Sequence, residues 1–233
     1  MNKLIDTLKP TLATGSRGGL ELDSLTCVRG GRTLFSGVSR HVRPGELLRV
    51  KGANGAGKTS LLRTLCGLMA PAQGRVLWRG QAISALREEF GRELVYLGHA
   101  AALKDDLSPL ENLQAACLLS GRAVTSADAR RALDEAGLQG YYGVPVRKLS
   151  QGQRRRCALA RLAVTPAHQT ACQTAQLVAP LWVLDEPFNA LDAAATDWLV
   201  GQLKSQLRRG GTVVLTSHQD IALDFAQQQV LSL

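Results

Sequence analysis

No apolar run in this chain approaches the ~20 residues that a bilayer-crossing helix needs, so the sequence predicts no transmembrane segment. The opening stretch, MNKLIDTLKPTLATGSRGG, lacks the apolar core of a secretory signal and reads as a loose, weakly basic leader over residues 1–19. Aromatics make up only 4% of the 233 residues, so the core has to be built from Leu, Val and Ala. Five cysteines (Cys27, Cys66, Cys117, Cys157, Cys172) form an odd set with no C-x-x-C pair. That argues against a disulfide framework and against a zinc ribbon, and suits a reducing cytosol. C-x-x-C-H, the covalent haem-attachment motif, is missing as well. The four histidines (His41, His99, His168, His218) show no metal-ligand spacing.

A composition of 45% hydrophobic and 20% charged residues is that of a globular chain. The net charge of +9 suggests an acidic partner: nucleic acid, an anionic membrane face, or phosphate ligands. Charge alone does not choose among them. Strand patterns cover residues 20–28, 34–42, 46–50, 75–78 and 93–97, with turn signals between the first four. A helix is expected from Lys58 to Met69. Ser108-Pro109-Leu110-Glu111 is a capping box with proline at the first helical position, so a helix starts there and runs to about Ser120. Another is expected over about Ser126–Ala136. A second capping box, Ser150 with Gln153, opens a helix through about Val164. LWVLD (181–185) and TVVLT (212–216) read as buried strands by their unbroken apolar runs, with a helix between them over about Asp192–Arg209. This alternation predicts an α/β core with a mostly parallel sheet, and a small helical lobe beside it.

Gly52-Ala53-Asn54-Gly55-Ala56-Gly57-Lys58-Thr59 satisfies G-x-x-x-x-G-K-[ST], with a strand before it and a helix after it. Glycines let the backbone wrap closely enough for N–H groups to face phosphate oxygens, and the helix N-terminus adds positive potential. In such a loop Lys58 reaches the β- and γ-phosphates, the Thr59 hydroxyl ligates Mg²⁺, and Ser60 is placed for the α-phosphate. LWVLDEP ends an apolar strand on Asp185-Glu186, where side chains point into the ligand crevice of a parallel sheet. Asp185 suits Mg²⁺ through water, and Glu186 suits a general base that polarises the attacking water. LSQGQ (149–153) opens a helix whose N-terminus is a second anion-binding end, although one phosphate loop already accounts for a triphosphate. The RRR that follows (154–156) reads first as a solvated helix face.

Together these segments resemble the ATP-binding subunits of ABC transporters over about residues 20–233. In that family an LSGGQ-like segment closes over the γ-phosphate held by the opposite subunit, and LSQGQ departs from it at Gln151. The resemblance therefore implies that Ser150, Gly152 and Gln153 complete the ATP site of a second copy of the chain. Asp192, in Asn189-Ala190-Leu191-Asp192, falls in the loop that contacts the partner subunit. His218, after the strand TVVLT-S, falls at the histidine that contacts the γ-phosphate. The implied fold is an α/β P-loop NTPase cassette, one domain over 20–233. It has a mostly parallel core sheet, an N-terminal antiparallel β part and a helical lobe over about 100–160. ATP and Mg²⁺ are the implied cofactors.

Finer matches lie in RTLFSGVS (32–39), LWRGQ (77–81), LGH (97–99), LSPLENL (107–113), LWVLDEPFNALD (181–192) and TSHQ (216–219). They resemble the haem-exporter ATPases of cytochrome c biogenesis. That implies a peripheral subunit on the cytoplasmic face of the inner membrane, working with integral membrane partners, without nucleic acid and without binding haem itself. The family pattern is broken in two places. The glutamine expected after strand 93–97 is replaced by His99 and Ala100, so either His99 substitutes for it or coupling works differently. The adenine-stacking aromatic is missing, and Arg29 falls about there. Residues 165–180 read as a surface loop insertion.

Overall fold

A computed structural model describes residues 18–121, 123–164, 181–217, 225 and 227–233 of the chain. His168, Cys172 and His218, and with them the expected γ-phosphate histidine and the 165–180 insertion, lie outside the described residues. Among the described residues nine strands form two sheets. Strands β1 (Leu20–Arg29), β2 (Arg32–Val42), β4 (Gln73–Trp78) and β5 (Gln81–Ala82) make an antiparallel sheet ordered β2-β1-β4-β5. Strands β3 (Leu47–Lys51), β6 (Leu94–Leu97), β7 (Leu181–Leu184), β8 (Thr212–Thr216) and β9 (Gln228–Ser232) make a parallel sheet ordered β6-β7-β8-β3-β9.

The unbroken apolar runs follow from burial of the parallel sheet on both faces. Side chains alternate along a strand, so Leu181 and Val183 of β7 enter one core while Trp182 and Leu184 enter another. The first core lies between the two sheets and holds α1 (Lys58–Leu65), through Leu61, Leu62 and Leu65. The second packs the opposite face of the parallel sheet against α6 (Ala193–Arg208), through Leu199 and Leu203. A third core, with Leu113, Leu133, Val146 and Cys157, joins α3 (Pro109–Leu119), α4 (Ser126–Glu135) and α5 (Gln151–Leu159).

Both expected capping boxes form. Ser108 caps α3 and its N–H donates to the Glu111 carboxylate at 2.8 Å, while Ser150 and Gln153 make the reciprocal pair on α5. The bonds from the Ser108 backbone and hydroxyl hold the Glu111 carboxyl below its usual pKa. A depressed carboxylate contributes stability above its unfolded pKa and loses it as pH falls through the folded value. Glu111→Gln should therefore lower the melting temperature at neutral pH, with the difference from wild type vanishing in acid. Melting curves at several pH values check this.

Three elements, β5, α2 (Ile83–Glu93) and β9, were not expected. Helix α2 starts at Ala82 without a side-chain cap, buries only Phe90, and kinks at Arg87, so it carries neither a start signal nor a clean apolar stripe. Strand β9 lies at the sheet edge and buries only Leu231. Helix α1 is shorter than expected, ending at Leu65, and α5 gives way to a 3₁₀ turn over Ala160–Leu162.

Candidate functional site

The loop 52–57 joins the end of β3 to α1. Gly57 stands at the N-cap of α1 with φ 100°, and a Cβ there would meet Leu34 Cβ at 3.0 Å. Only glycine satisfies both the left-handed backbone and the contact. The loop, Lys58, Thr59 and Ser60 line a cleft of about 590 Å³, with His99, Asp185, Glu186 and Asn189 opposite and Arg29 and Leu34 at its side. Lys58 Nζ donates to Gly52 O (2.7 Å) and Ala53 O (3.1 Å), so the ammonium lies folded over its own loop.

Thr59 Oγ1 donates to Asp185 Oδ2 at 2.8 Å, joining two residues far apart in sequence. The other oxygen, Asp185 Oδ1, accepts from Thr216 Oγ1 (2.8 Å), and Thr216 Oγ1 in turn accepts from Glu186 N (2.8 Å). Asp185 and Glu186 are buried and Thr216 is fully so. Glu186 has φ 49°, a left-handed backbone that a residue with a side chain holds at a cost of about 1–3 kcal/mol unless its surroundings fix it. The bond to Thr216 is one such constraint. Thr216→Val keeps the shape but strands the Glu186 N–H, and should lower stability by about 1–3 kcal/mol. A urea unfolding midpoint measures this.

A Thr59 hydroxyl and an Asp185 carboxylate side by side fit Mg²⁺, which takes one or two protein oxygens and completes its shell with phosphate and water. Among the described residues no group of three or more His, Cys, Asp or Glu is arranged to hold a metal, so a closed metal cage does not compete with that reading. Burial pushes the Cys66 thiol up and the Cys157 thiol up to about 12, so neither of these two is a thiolate nucleophile at neutral pH.

The LSQGQ segment does not line this cleft. In this chain the Ser150 hydroxyl accepts from Gln153 N and caps α5. Gly152 has a role that sequence reasoning missed: a Cβ there would meet Ala190 O at 2.8 Å, so the glycine lets α5 sit against the Asn189–Asp192 loop. Asp192 itself caps α6 through Ala195 N (2.8 Å) and lies 3.9 Å from Arg156 Nη2. The RRR run is not a uniformly solvated face. Arg154 pairs with Asp105 at 2.9 Å and Arg156 reaches Gly137 O, while Arg155 is 6% exposed and turned inward. The run gives no sign of this, because only the tertiary placement of α5 decides which arginine faces the core.

Beside the cleft runs a groove of about 490 Å³, walled by Arg63, Leu68, Tyr96, Ala100 and Arg161. It shares Thr59 and His99 with the cleft, so His99 stands between the two.

The model of the family described as "ABC transporter" matches residues 35–189. The cytochrome c biogenesis ATP-binding export protein CcmA of Dechloromonas aromatica is 48% identical over 202 residues, 87% of this chain and 93% of that protein. The protein of the same name from Aromatoleum aromaticum is 50% identical over 196 residues, 84% and 86% of the two chains. Among solved structures, a dimeric ATP-binding cassette in a post-hydrolysis state bound to ADP and Pi superposes with a TM-score of 0.74. It shares 23% identity and covers 92% of this chain and 94% of its own, a likeness of fold. A family model across two-thirds of the sequence and relatives near half identity lead to one conclusion: the chain belongs to the ABC transporter family, in the group of the cytochrome c biogenesis ATP-binding export proteins.

Proposed function

We propose that the chain is the ATP-hydrolysing subunit of an export complex, peripheral on the cytoplasmic face of the inner membrane, that powers haem export or handling for c-type cytochrome maturation. The observation that carries the ATPase part is the meeting of Lys58, Thr59, Asp185 and Glu186 around one cleft. The kinship with proteins named for cytochrome c biogenesis carries the pathway.

In this reading the loop amides of 52–57 and the N-terminus of α1 bind the phosphates of ATP. Lys58 turns from Gly52 O and Ala53 O to the β- and γ-phosphates. Thr59 and Asp185 would hold Mg²⁺, which would supply charge neutralisation for the phosphates. Glu186 takes the proton of the attacking water, and Thr216 fixes where that carboxylate starts. Ser150, Gly152 and Gln153 serve the ATP of a second copy, and the Asn189–Asp192 loop with Asp192 lies against that copy. His218 contacts the γ-phosphate. ATP sandwiched between two chains closes the pair, and hydrolysis resets it. The capped N-terminus of α5, away from its own cleft, and the dimeric cassette of the same fold support this arrangement.

Integral membrane subunits occupy the groove beside the cleft. Among the described residues no helix is long and apolar enough to cross a membrane; in this reading the partners carry the translocation path. Position 100 lines that groove, and restoring the family's glutamine there, Ala100→Gln, should raise the yield of holocytochrome per ATP hydrolysed. An unmoved ratio would mean that position 100 takes no part in coupling. The pathway itself is tested by haem-staining c-type cytochromes in cells whose only copy carries Glu186→Gln. Loss of holocytochrome with apocytochrome still made supports the reading. Normal staining, with the variant expressed and trapping ATP, overturns the haem assignment.

A further inference from the structure

Helix α5 faces two ways. Its Ser150-capped N-terminus is the half-site offered to a second copy, and about one and a half turns later Arg155 enters its own chain. The guanidinium reaches five main-chain carbonyls. Nη2 donates to Asp185 O (2.8 Å) and Glu186 O (2.7 Å), Nε to Pro187 O (3.3 Å), and Nη1 to Gly98 O (3.0 Å) and His99 O (3.4 Å). These carbonyls belong to the two segments that carry the acids of the cleft and the residue between cleft and groove. A buried cation is tolerated only when its donors are satisfied, and a planar fork with five N–H groups is the side chain that can satisfy this set. Burial pulls the guanidinium below its usual pKa, partly offset by Asp185 and Glu186.

Together with Thr216, Arg155 brackets the left-handed residue Glu186 from both sides, one at its N–H and one at its carbonyl. Hydrogen bonds of 2.7–2.8 Å lengthened by about an ångström are lost, so a shift of α5 on that scale either breaks them or carries Asp185–Pro187 with it.

We propose that Arg155 is a positioning residue that couples the two ATP sites of the dimer. Engagement of the α5 N-terminus by the partner's ATP is passed through its guanidinium to the Asp185–Pro187 and Gly98–His99 backbones of its own site. The inference rests on the two-chain ATP sandwich proposed above. It assigns a function to a residue whose side chain does not line the ATP cleft.

The test uses the full chain with ATP and Mg²⁺, comparing wild type, Arg155→Lys and Arg155→Gln. Melting curves, ATP affinity and turnover against ATP concentration are measured for each. Both variants should bind ATP within about twofold of wild type, because the loop 52–59 is untouched, while kcat falls at least about tenfold. The Hill coefficient should drop from above one to one, with Arg155→Lys recovering part of kcat but not the cooperativity. A purely structural role would lower ATP binding and kcat together, in proportion to the folded fraction, and leave the Hill coefficient alone; that outcome overturns the proposal. So does a folded variant with wild-type kcat and cooperativity, or a non-cooperative wild type. Wild type without Mg²⁺-dependent turnover would instead sink the ATPase reading beneath it.

Hydrogen exchange keeps the proposal testable if both variants misfold. In the Glu186→Gln chain, with Arg155 intact, ATP should protect peptides covering 96–100, 149–158 and 184–189 together. Protection of 149–158 alone overturns the coupling.

Discussion

Glu186→Gln should leave ATP binding intact, lower steady-state hydrolysis by about 10²–10⁴-fold, and convert the chain into a stable dimer when ATP and Mg²⁺ are present. Glutamine matches the carboxylate in shape, so the buried, left-handed position closed by Thr216 and Arg155 survives. What is lost is the proton acceptor. If hydrolysis is the step that reopens the ATP sandwich, blocking it accumulates the closed pair. Sizing chromatography with and without ATP reads the dimer, and phosphate release reads the rate. A variant that stays monomeric with ATP would count against the sandwich, and one that hydrolyses normally would remove Glu186 from the role of base.

Lys58→Ala should weaken ATP binding by about 10–100-fold, the worth of a charge-assisted hydrogen bond to phosphate, and abolish measurable turnover. Among the described residues the ammonium is held by Gly52 O and Ala53 O, both at the open loop, where water can replace it. Folding stability should therefore change by less than about 1 kcal/mol. That separation distinguishes a ligand-binding lysine from a structural one. Isothermal titration with ATP, beside a melting curve, makes the comparison. Unchanged affinity and turnover would mean that the loop does not cradle a triphosphate.

The elements that local chemistry dictates were legible in the sequence. The phosphate loop, the two capping boxes and the alternating apolar strands each declare themselves within a few residues, and the acids of LWVLDEP lie at a strand end, as the crevice rule requires. What could not be read depends on contacts between distant segments. Gly152 reads only as part of the half-site for a second copy until Ala190 O is found against it. Arg155 is one of three consecutive arginines, and nothing in RRR marks the one that five carbonyls receive. Thr216 reads as a strand residue, yet it ties Asp185 to Glu186. Helix α2 and strand β9 bury one residue each, too little for a periodic signal to stand out.

The central claim is that each ATP site is assembled from the loop 52–60 of one chain and the Ser150–Gln153 segment of another. Mixing two inactive variants tests it most directly: Lys58→Ala, which spoils the loop, and Ser150→Arg, which blocks the half-site. Neither variant alone should hydrolyse ATP, but a mixed pair holds one site with both parts intact. Mixing should then restore up to about a quarter of wild-type turnover, since about half of random dimers are mixed and each has one good site of two. No recovery in mixtures shown to contain the mixed dimer would contradict a shared site and place both halves of the chemistry within one chain.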